Sequence, residues 1–171
     1  MHQLILDNTS WQLVALLVLL SILCVVAFRW RSCVMGADFP DLWRHWYTPV
    51  EVQKFLGGLE GKIRRLYAIS ELTVDVVFPV CYSGLAIILM AVLMKISACL
   101  AWQWLLYLPL LTAVADLSEN VSVAFLALTF DQNDPPRKFA YVTAISSFVK
   151  WKSSYFVLAA LAFLVVRLAW S

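Results

Sequence analysis

The chain has 171 residues, enough for one domain, and 63% of them are hydrophobic while only 14% are charged. A mean hydropathy of +0.81 is too high for an ordinary soluble core, so lipid is the expected solvent for much of the chain. The net charge of +2 is small, and the 13 basic residues form no continuous cationic run, which argues against nucleic acid as a partner.

The first apolar run covers residues 11–28 and contains 18 residues without a charge, enough for a helix to span the hydrocarbon core. The segment before it lacks the basic residues of a secretory signal, and no small-residue cleavage site stands out after it. We therefore expect a retained transmembrane helix that faces lipid and is the plainest of the set.

The connection that follows contains a segment, residues 38–62, that we expect at the cytoplasmic membrane interface. The sequence Thr-Pro-Val-Glu at 48–51 has the pattern of a capping box with proline at the first helical position. Two glycines at 57 and 58 indicate the end of this short amphipathic helix. The stretch before it is rich in side chains typical of the lipid headgroup layer: Phe39, Leu42, Trp43, Trp46 and Tyr47.

Later apolar segments predict three more transmembrane helices, over residues 67–94, 102–130 and 148–170. Pro109 is a candidate kink in the third helix. The proline pair at 135–136 follows a polar turn and can open the fourth. The predicted fold class is all-α, a polytopic membrane protein whose four transmembrane helices form a bundle in a single domain over residues 1–171.

Lysine and arginine are distributed unequally between the connections, and this distribution predicts the orientation. Seven of them fall in the first connection, and four fall in the third: Arg137, Lys138, Lys150 and Lys152. The other side has only Lys95 and Arg167. The positive-inside rule therefore places the first and third connections in the cytoplasm and both termini on the non-cytoplasmic side.

Ionisable side chains within membrane spans are costly, and they usually face the interior of a bundle or a water-filled cavity. Counting about 1.5 Å per residue from the outer end of each helix places those of the last three helices at similar depth, in the inner half of the membrane or at its cytoplasmic mouth. We therefore treat seven polar residues as candidate binding residues: Glu71, Asp75, Tyr82, Asp116, Glu119, Asn120 and Lys150.

Lys150 is the candidate counter-ion of Asp116 or Glu119, because a buried ammonium and a buried carboxylate each remove the other's need for solvation. Asn120 can donate to a carboxylate and accept from a hydroxyl, so we expect it to orient the pair. The same polar groups could instead only hold the helices together, as interhelical hydrogen bonds commonly do. The sequence leaves binding, catalytic and structural roles open.

Neither a metal nor a cofactor is indicated by the sequence. His2 and His45 fall outside the predicted spans, so we expect no haem and no histidine metal site. The four cysteines are widely separated, without a Cys-x-x-Cys pair, and are expected to be inert thiols: Cys24, Cys33, Cys81 and Cys99.

Several short motifs resemble those of a loosely defined group of small, bacterial-type four-helix membrane proteins of uncharacterised activity. The motifs are Gly61 followed by Arg65-x-Tyr67, Asp75-x-x-Phe78-Pro79-x-x-Tyr82, Asp116-x-x-Glu119-Asn120, and Lys150 in the last helix. The resemblance covers most of the chain after Thr48. It implies a four-helix fold in a bacterial inner membrane, and it implies no activity.

Three classes of function stay open. We favour a non-enzymatic membrane module, either an accessory subunit of a larger complex or homo-oligomer, or a binder of membrane lipid or another small amphiphile. The first alternative is a lipid-active enzyme, with Asp75, Asp116 or Glu119 as general acid or base and Lys150 stabilising negative charge. The second is a small transporter or proton pathway, which the lack of a sequence repeat argues against.

Overall fold

The computed structural model describes residue 5 and residues 10–36, 46–131 and 134–170. Within these ranges the chain is helical and has no strand, which confirms the all-helical prediction. Its α-helices are α1 (Trp11–Met35), α2 (Pro49–Gly57), α3 (Gly61–Glu71), α4 (Val74–Ile96), α5 (Tyr107–Leu128) and α6 (Arg137–Ala169). A 3-10 helix over Leu100–Leu106 lies between α4 and α5.

Four stretches of the described chain are long and apolar enough to cross a membrane, as the sequence predicted. They are the helix α1, the combined α3–α4 stretch over Gly61–Ile96, the stretch Ala101–Leu128 that ends with α5, and the helix α6. Helices α5 and α6 form the most extensive interface, and α1 packs mainly on α4.

Helix α1 is longer than the uncharged run that predicted it. The side chain of Ser10 caps its start by accepting from the backbone N–H of Leu13 at 3.2 Å, and the helix ends only where Gly36 adopts φ 64°, a left-handed conformation that favours glycine. Most of α1 is exposed, as expected of a lipid-facing helix. One of its faces is buried, however, and this face includes the charged side chain of Arg31. The helix that we predicted to be the plainest is thus not wholly lipid-facing.

Helix α2 has the predicted capping box, with the Thr48 and Glu51 side chains each bonded to the other's backbone. Its apolar face, however, packs on protein: Val52 and Leu56 are completely buried in a cluster that includes Val123 of α5. Tyr47, which we expected in the headgroup layer, is also buried. Trp46 of the same stretch is 39% exposed, and residues 38–45 lie outside the described residues.

The predicted second span, residues 67–94, is interrupted. Helix α3 ends at Glu71 and α4 begins at Val74. At the junction the hydroxyl of Thr73 donates to the carbonyl of Ile69 at 2.7 Å. In a continuous helix this carbonyl would accept from the backbone N–H of Thr73, so the side chain competes with the helical hydrogen bond. The interruption places Asp75 in the first turn of a new helix.

The bounds of the last two spans also differ from the prediction. Pro109 lies in the first turn of α5, where the backbone N–H has no helical partner, and it therefore does not kink a longer helix. Helix α6 begins directly after Pro136, eleven residues before position 148 where we expected the span to start. The predicted span was shorter than α6 because it included only the apolar part of the helix. The first turn of α6 contains Arg137 and Lys138.

Two apolar clusters lie at opposite ends of the helices. One joins α2, α3, α5 and α6 around Leu56, Tyr67 and Leu126, and defines what we call the α2 end. The other joins α4, the 3-10 helix and α6 around Met94, Leu106 and Leu164, and defines the opposite end. The polar residues of the candidate site lie between these clusters, where the described helices bring them together.

Candidate functional site

Arg31 on α1 is the centre of a buried ion cluster that joins α1 to α3 and α4. Its Nη1 donates to Glu71 Oε1 at 3.1 Å, to Asp75 Oδ2 at 2.7 Å and to Ser70 Oγ at 2.7 Å. The side chain of Arg31 is 4% exposed, and Glu71 and Asp75 are buried as well. We call these four residues the Arg31 cluster.

Arg31 was not among the predicted site residues, because it follows the uncharged run and falls among the basic residues of the first connection. The spacing of Arg31 in the sequence could have indicated its burial. Cys24, Phe28 and Arg31 are the buried residues of α1, and they lie at i, i+4 and i+7, on one helical face. No glycine or proline intervenes before Gly36, so nothing in the sequence ended the helix before Arg31.

Lys150 on α6 is the centre of a second ion cluster. Its Nζ lies 3.1 Å from Asp116 Oδ1 and 2.6 Å from Glu119 Oε2. The contact with Asp116 is also a hydrogen bond, whereas Glu119 Oε2 has close ionic contact without hydrogen-bond alignment. The ion pair that the sequence predicted is therefore present, and it includes both candidate carboxylates.

Two tyrosines complete the coordination of these carboxylates. Tyr82 on α4 donates to Asp116 Oδ2 at 2.9 Å, and Tyr47, just before α2, donates to Glu119 Oε1 at 2.7 Å. Tyr82 was among the predicted site residues and Tyr47 was not. We call Lys150, Asp116, Glu119, Tyr82 and Tyr47 the Lys150 cluster; its members come from α4, α5, α6 and the segment before α2.

Asn120 connects the two clusters, in a different way from the one we expected. Its Nδ2 donates to the main-chain carbonyl of Asp75 at 2.5 Å and so holds the first turn of α4 against α5. The expected orientation of a carboxylate by Asn120 is not among the described hydrogen bonds. A tyrosine hydroxyl has that role at both Asp116 and Glu119.

Hydroxyl pairs extend the polar contact between α5 and α6 above and below Lys150. Their oxygens lie 2.8 Å apart for Thr112–Ser153, 3.1 Å for Ser118–Ser146 and 2.9 Å for Ser122–Thr143. Such interhelical bonds contribute about 0.6 to 2 kcal/mol each in lipid. The hydroxyls of Thr143, Ser146 and Ser153 on α6 are therefore accounted for by helix association alone.

A cavity of about 290 Å³ opens beside the two clusters and is lined by α1, α4, α5 and α6. Its charged lining residues are Asp75, Asp116 and Lys150, with exposed Arg29, and its apolar lining residues are Val25, Phe28 and Phe78. Each cluster contributes one carboxylate to the lining, whereas Glu71 and Glu119 lie behind it. The polar site is thus reachable by a ligand through this cavity.

The residues of the cavity can form ion pairs and charge-assisted hydrogen bonds with a ligand, and its carboxylates can accept a proton. Among the described residues, no group of three or more His, Cys, Asp or Glu side chains is placed to hold a metal ion. Within the same residues, all four cysteines are free thiols, and Cys33 alone is exposed.

Comparison of the chain with protein-family models, with curated proteins and with solved structures finds no match.

Proposed function

We propose that this protein is a membrane-spanning four-helix bundle that binds the polar head of a lipid or another small amphiphile in the cavity between α1 and α6. The supporting observation is the cavity itself, where Asp75, Asp116 and Lys150 line a space whose other walls are largely apolar. Ionisable groups at membrane depth are costly, and they are usually retained at binding or transport sites.

Access from the lipid supports a membrane amphiphile as the ligand. Val25 lines the cavity and is 47% exposed on the surface of α1, next to the exposed apolar side chains of Ile22 and Val26. An amphiphile can therefore approach from the lipid with its tail still in an apolar environment. A water-soluble ligand would have to leave water to reach the same place, at the cost of desolvation.

The proposal includes an orientation, with the α2 end in the cytoplasm of a bacterial-type inner membrane. The excess of lysine and arginine in the connections at that end supports it. In a chain whose native cysteines are replaced, a cysteine at Lys95 should react in intact cells with a membrane-impermeant maleimide. A cysteine at Lys62 should react only after lysis, and the reverse pattern would refute this orientation.

The binding proposal is tested by native mass spectrometry of the protein extracted gently from its membrane. We expect bound amphiphile on the parent chain and a strong loss of it in Val25→Trp, which fills the cavity. Val26→Trp is the matched control, because Val26 is exposed on α1 and does not line this cavity. Equal occupancy in both variants, or a bound protein subunit in place of an amphiphile, would contradict the proposal.

A lipid-active enzyme is the second candidate, because the cavity exposes Asp75 and Asp116 to the same ligand. Either carboxylate could serve as a general base there, with Lys150 beside it to stabilise developing negative charge. A time-dependent change in the mass of the bound amphiphile, abolished by Asp116→Asn, would favour this candidate. A ligand recovered unchanged after long incubation would favour binding alone.

A further inference from the structure

We propose that the head of the amphiphile contains a phosphate, which binds the guanidinium of Arg29 at the edge of the cavity, and that the apolar tail passes Val25 toward the middle of the membrane. This inference rests on the proposed function. It names the chemical class of the ligand, its main contact and the direction in which the ligand lies.

Arg29 differs from the other charged side chains that line the cavity. Asp75 is paired with Arg31 at 2.7 Å. Asp116 is paired with Lys150 at 3.1 Å. The side chain of Arg29 lines the same cavity, but within the part of the chain that the structure describes it has neither an ion pair nor a hydrogen bond. The N–H donors of its guanidinium are therefore available to a ligand.

Arg29 lies at a depth from which its side chain can reach the lipid head groups. Helix α1 runs toward the α2 end, since Met35 packs against the cluster there and Ile5, before the helix, packs against the opposite one. Arg29 precedes the helix end at Gly36 by seven residues, about 10 Å along the axis. An arginine at this depth can extend its charge to the headgroup layer while its aliphatic part stays in apolar surroundings.

The chemistry of arginine favours a phosphate in this place. The planar guanidinium presents a fork of N–H groups that matches two oxygens of a phosphate or a carboxylate, and both hydrogen bonds are charge-assisted. Of these two anions, phosphate is the one common to all phospholipids. Arg29 is exposed on α1, so a phospholipid reaches it without leaving the membrane.

The carboxylates of the cavity do not prevent a phosphate from binding at Arg29. Asp116 accepts from Lys150 at Oδ1 and from Tyr82 at Oδ2, and Asp75 lies against the guanidinium of the Arg31 cluster. A carboxylate beside a cation repels an approaching anion less than a lone carboxylate does, because the cation attracts the same anion. A hydroxyl or N–H group of the same head can still donate to these carboxylates.

The spacing of Val25 and Arg29 gives the direction of the tail. The two residues are four positions apart, so they lie on the same face of α1, and both line the cavity. Val25 is about 6 Å farther from the α2 end, toward the middle of the membrane. A lipid in the leaflet at the α2 end has the same direction, with its head outward and its tail inward. It can therefore enter the cavity sideways without turning over.

The test compares three ligands with the same twelve-carbon chain: dodecyl phosphate, dodecanoate and dodecanol. Each is titrated into the full-length protein in a non-ionic detergent, and occupancy is measured by native mass spectrometry. We expect dodecyl phosphate to bind at least about tenfold more tightly than dodecanol, the ratio given by one good charge-assisted hydrogen bond. It should also bind more tightly than dodecanoate, because a phosphate has more negative charge and a further acceptor oxygen.

Variants of Arg29 test the contact itself. Arg29→Gln removes the cation, and it should weaken the binding of dodecyl phosphate by about tenfold or more and leave that of dodecanol nearly unchanged. Arg29→Lys keeps the charge and should retain part of the preference for phosphate. Arg65→Gln is the matched control, since Arg65 is exposed on α3 and does not line the cavity. Equal binding of dodecyl phosphate by the two glutamine variants would overturn the role of Arg29.

Inorganic phosphate distinguishes a lipid head from a free anion. At the same concentration it should not displace dodecyl phosphate, because it lacks the apolar tail. Displacement would show a site for free phosphate and would overturn the placement of the tail.

The remaining outcomes separate this inference from the proposed function. Binding of dodecanol or dodecanoate as tight as that of dodecyl phosphate, still lost in Val25→Trp, would overturn the phosphate head and leave amphiphile binding intact. Failure of all three ligands to bind, together with equal occupancy by native lipid in Val25→Trp and Val26→Trp, would overturn both proposals.

Discussion

Arg31 Nη1 lies 2.7 Å from Asp75 Oδ2, and this contact joins α1 to the first turn of α4 across 44 residues of sequence. The pair lies beside the interruption between α3 and α4, and Asp75 is also held by Asn120 through its main-chain carbonyl. The helix that the sequence predicted to be the plainest therefore contributes a cation to the candidate site.

Arg31→Gln should destabilise the protein, because it leaves Glu71 and Asp75 buried without their common cation. Breaking a buried ion pair in this way costs about 3–5 kcal/mol. We expect a clear fall in the midpoint of thermal unfolding in detergent, partly recovered by adding Asp75→Asn. Arg29→Gln is the control, since Arg29 is exposed; an equal effect of the two arginine variants would contradict the role of Arg31.

The pairing of Lys150 is tested by a double-mutant cycle with Glu119. Lys150→Met should lower thermal stability by an amount that corresponds to about 3–5 kcal/mol, because two carboxylates lose their counter-ion. Adding Glu119→Gln should recover part of that loss, since one uncompensated charge is removed. Losses that simply add in the double variant would show that the two side chains do not interact.

Tyr47→Phe should destabilise the α2 end. The change removes a 2.7 Å hydrogen bond to Glu119 and leaves the aromatic ring in place. A bond to a charged group in a buried site contributes about 1.5–3 kcal/mol. Tyr141→Phe is the matched control because Tyr141 is 60% exposed. Thermal unfolding midpoints that fall equally little in both variants would show that the Tyr47 contact does not contribute.

Substitution by alanine should affect protein stability differently at Ser147 and at Ser153. Ser147 is completely buried on α6, and its hydroxyl has no hydrogen-bond partner in the part of the chain that the structure describes. Ser147→Ala should therefore be neutral or stabilising. Ser153→Ala should cost about 1 kcal/mol, because it removes the bond from Thr112. Equal destabilisation by both changes would indicate a partner for Ser147.

The number of long apolar helices was predictable from the sequence, because a span of hydrocarbon demands a run of apolar residues of known length. The positions at which these helices begin and end were less predictable. Helix α1 continues past Phe28, since the end of an uncharged run is not a helix stop and the first stop signal is Gly36. The break before Val74 was not predictable from the usual stop signals, because no glycine or proline lies between Gly61 and Pro79.

The ion pair of Lys150 was predictable because depth along a helix can be counted, and matching depth is what allows two buried charges to meet. The role of Tyr47 was not predictable from the sequence. Its contact with Glu119 depends on how a connection folds back onto the helices, over 72 residues of sequence, and no local pattern contains that information. Arg31 was identifiable in principle from the buried face of α1.

A structure of the protein in a lipid nanodisc would show whether an amphiphile occupies the cavity beside Asp75, Asp116 and Lys150, as we propose. We predict non-protein density in this cavity, with a polar group within hydrogen-bond distance of Asp75 or Asp116. A cavity filled only by water, or closed by contact between α1 and α6, would contradict the claim.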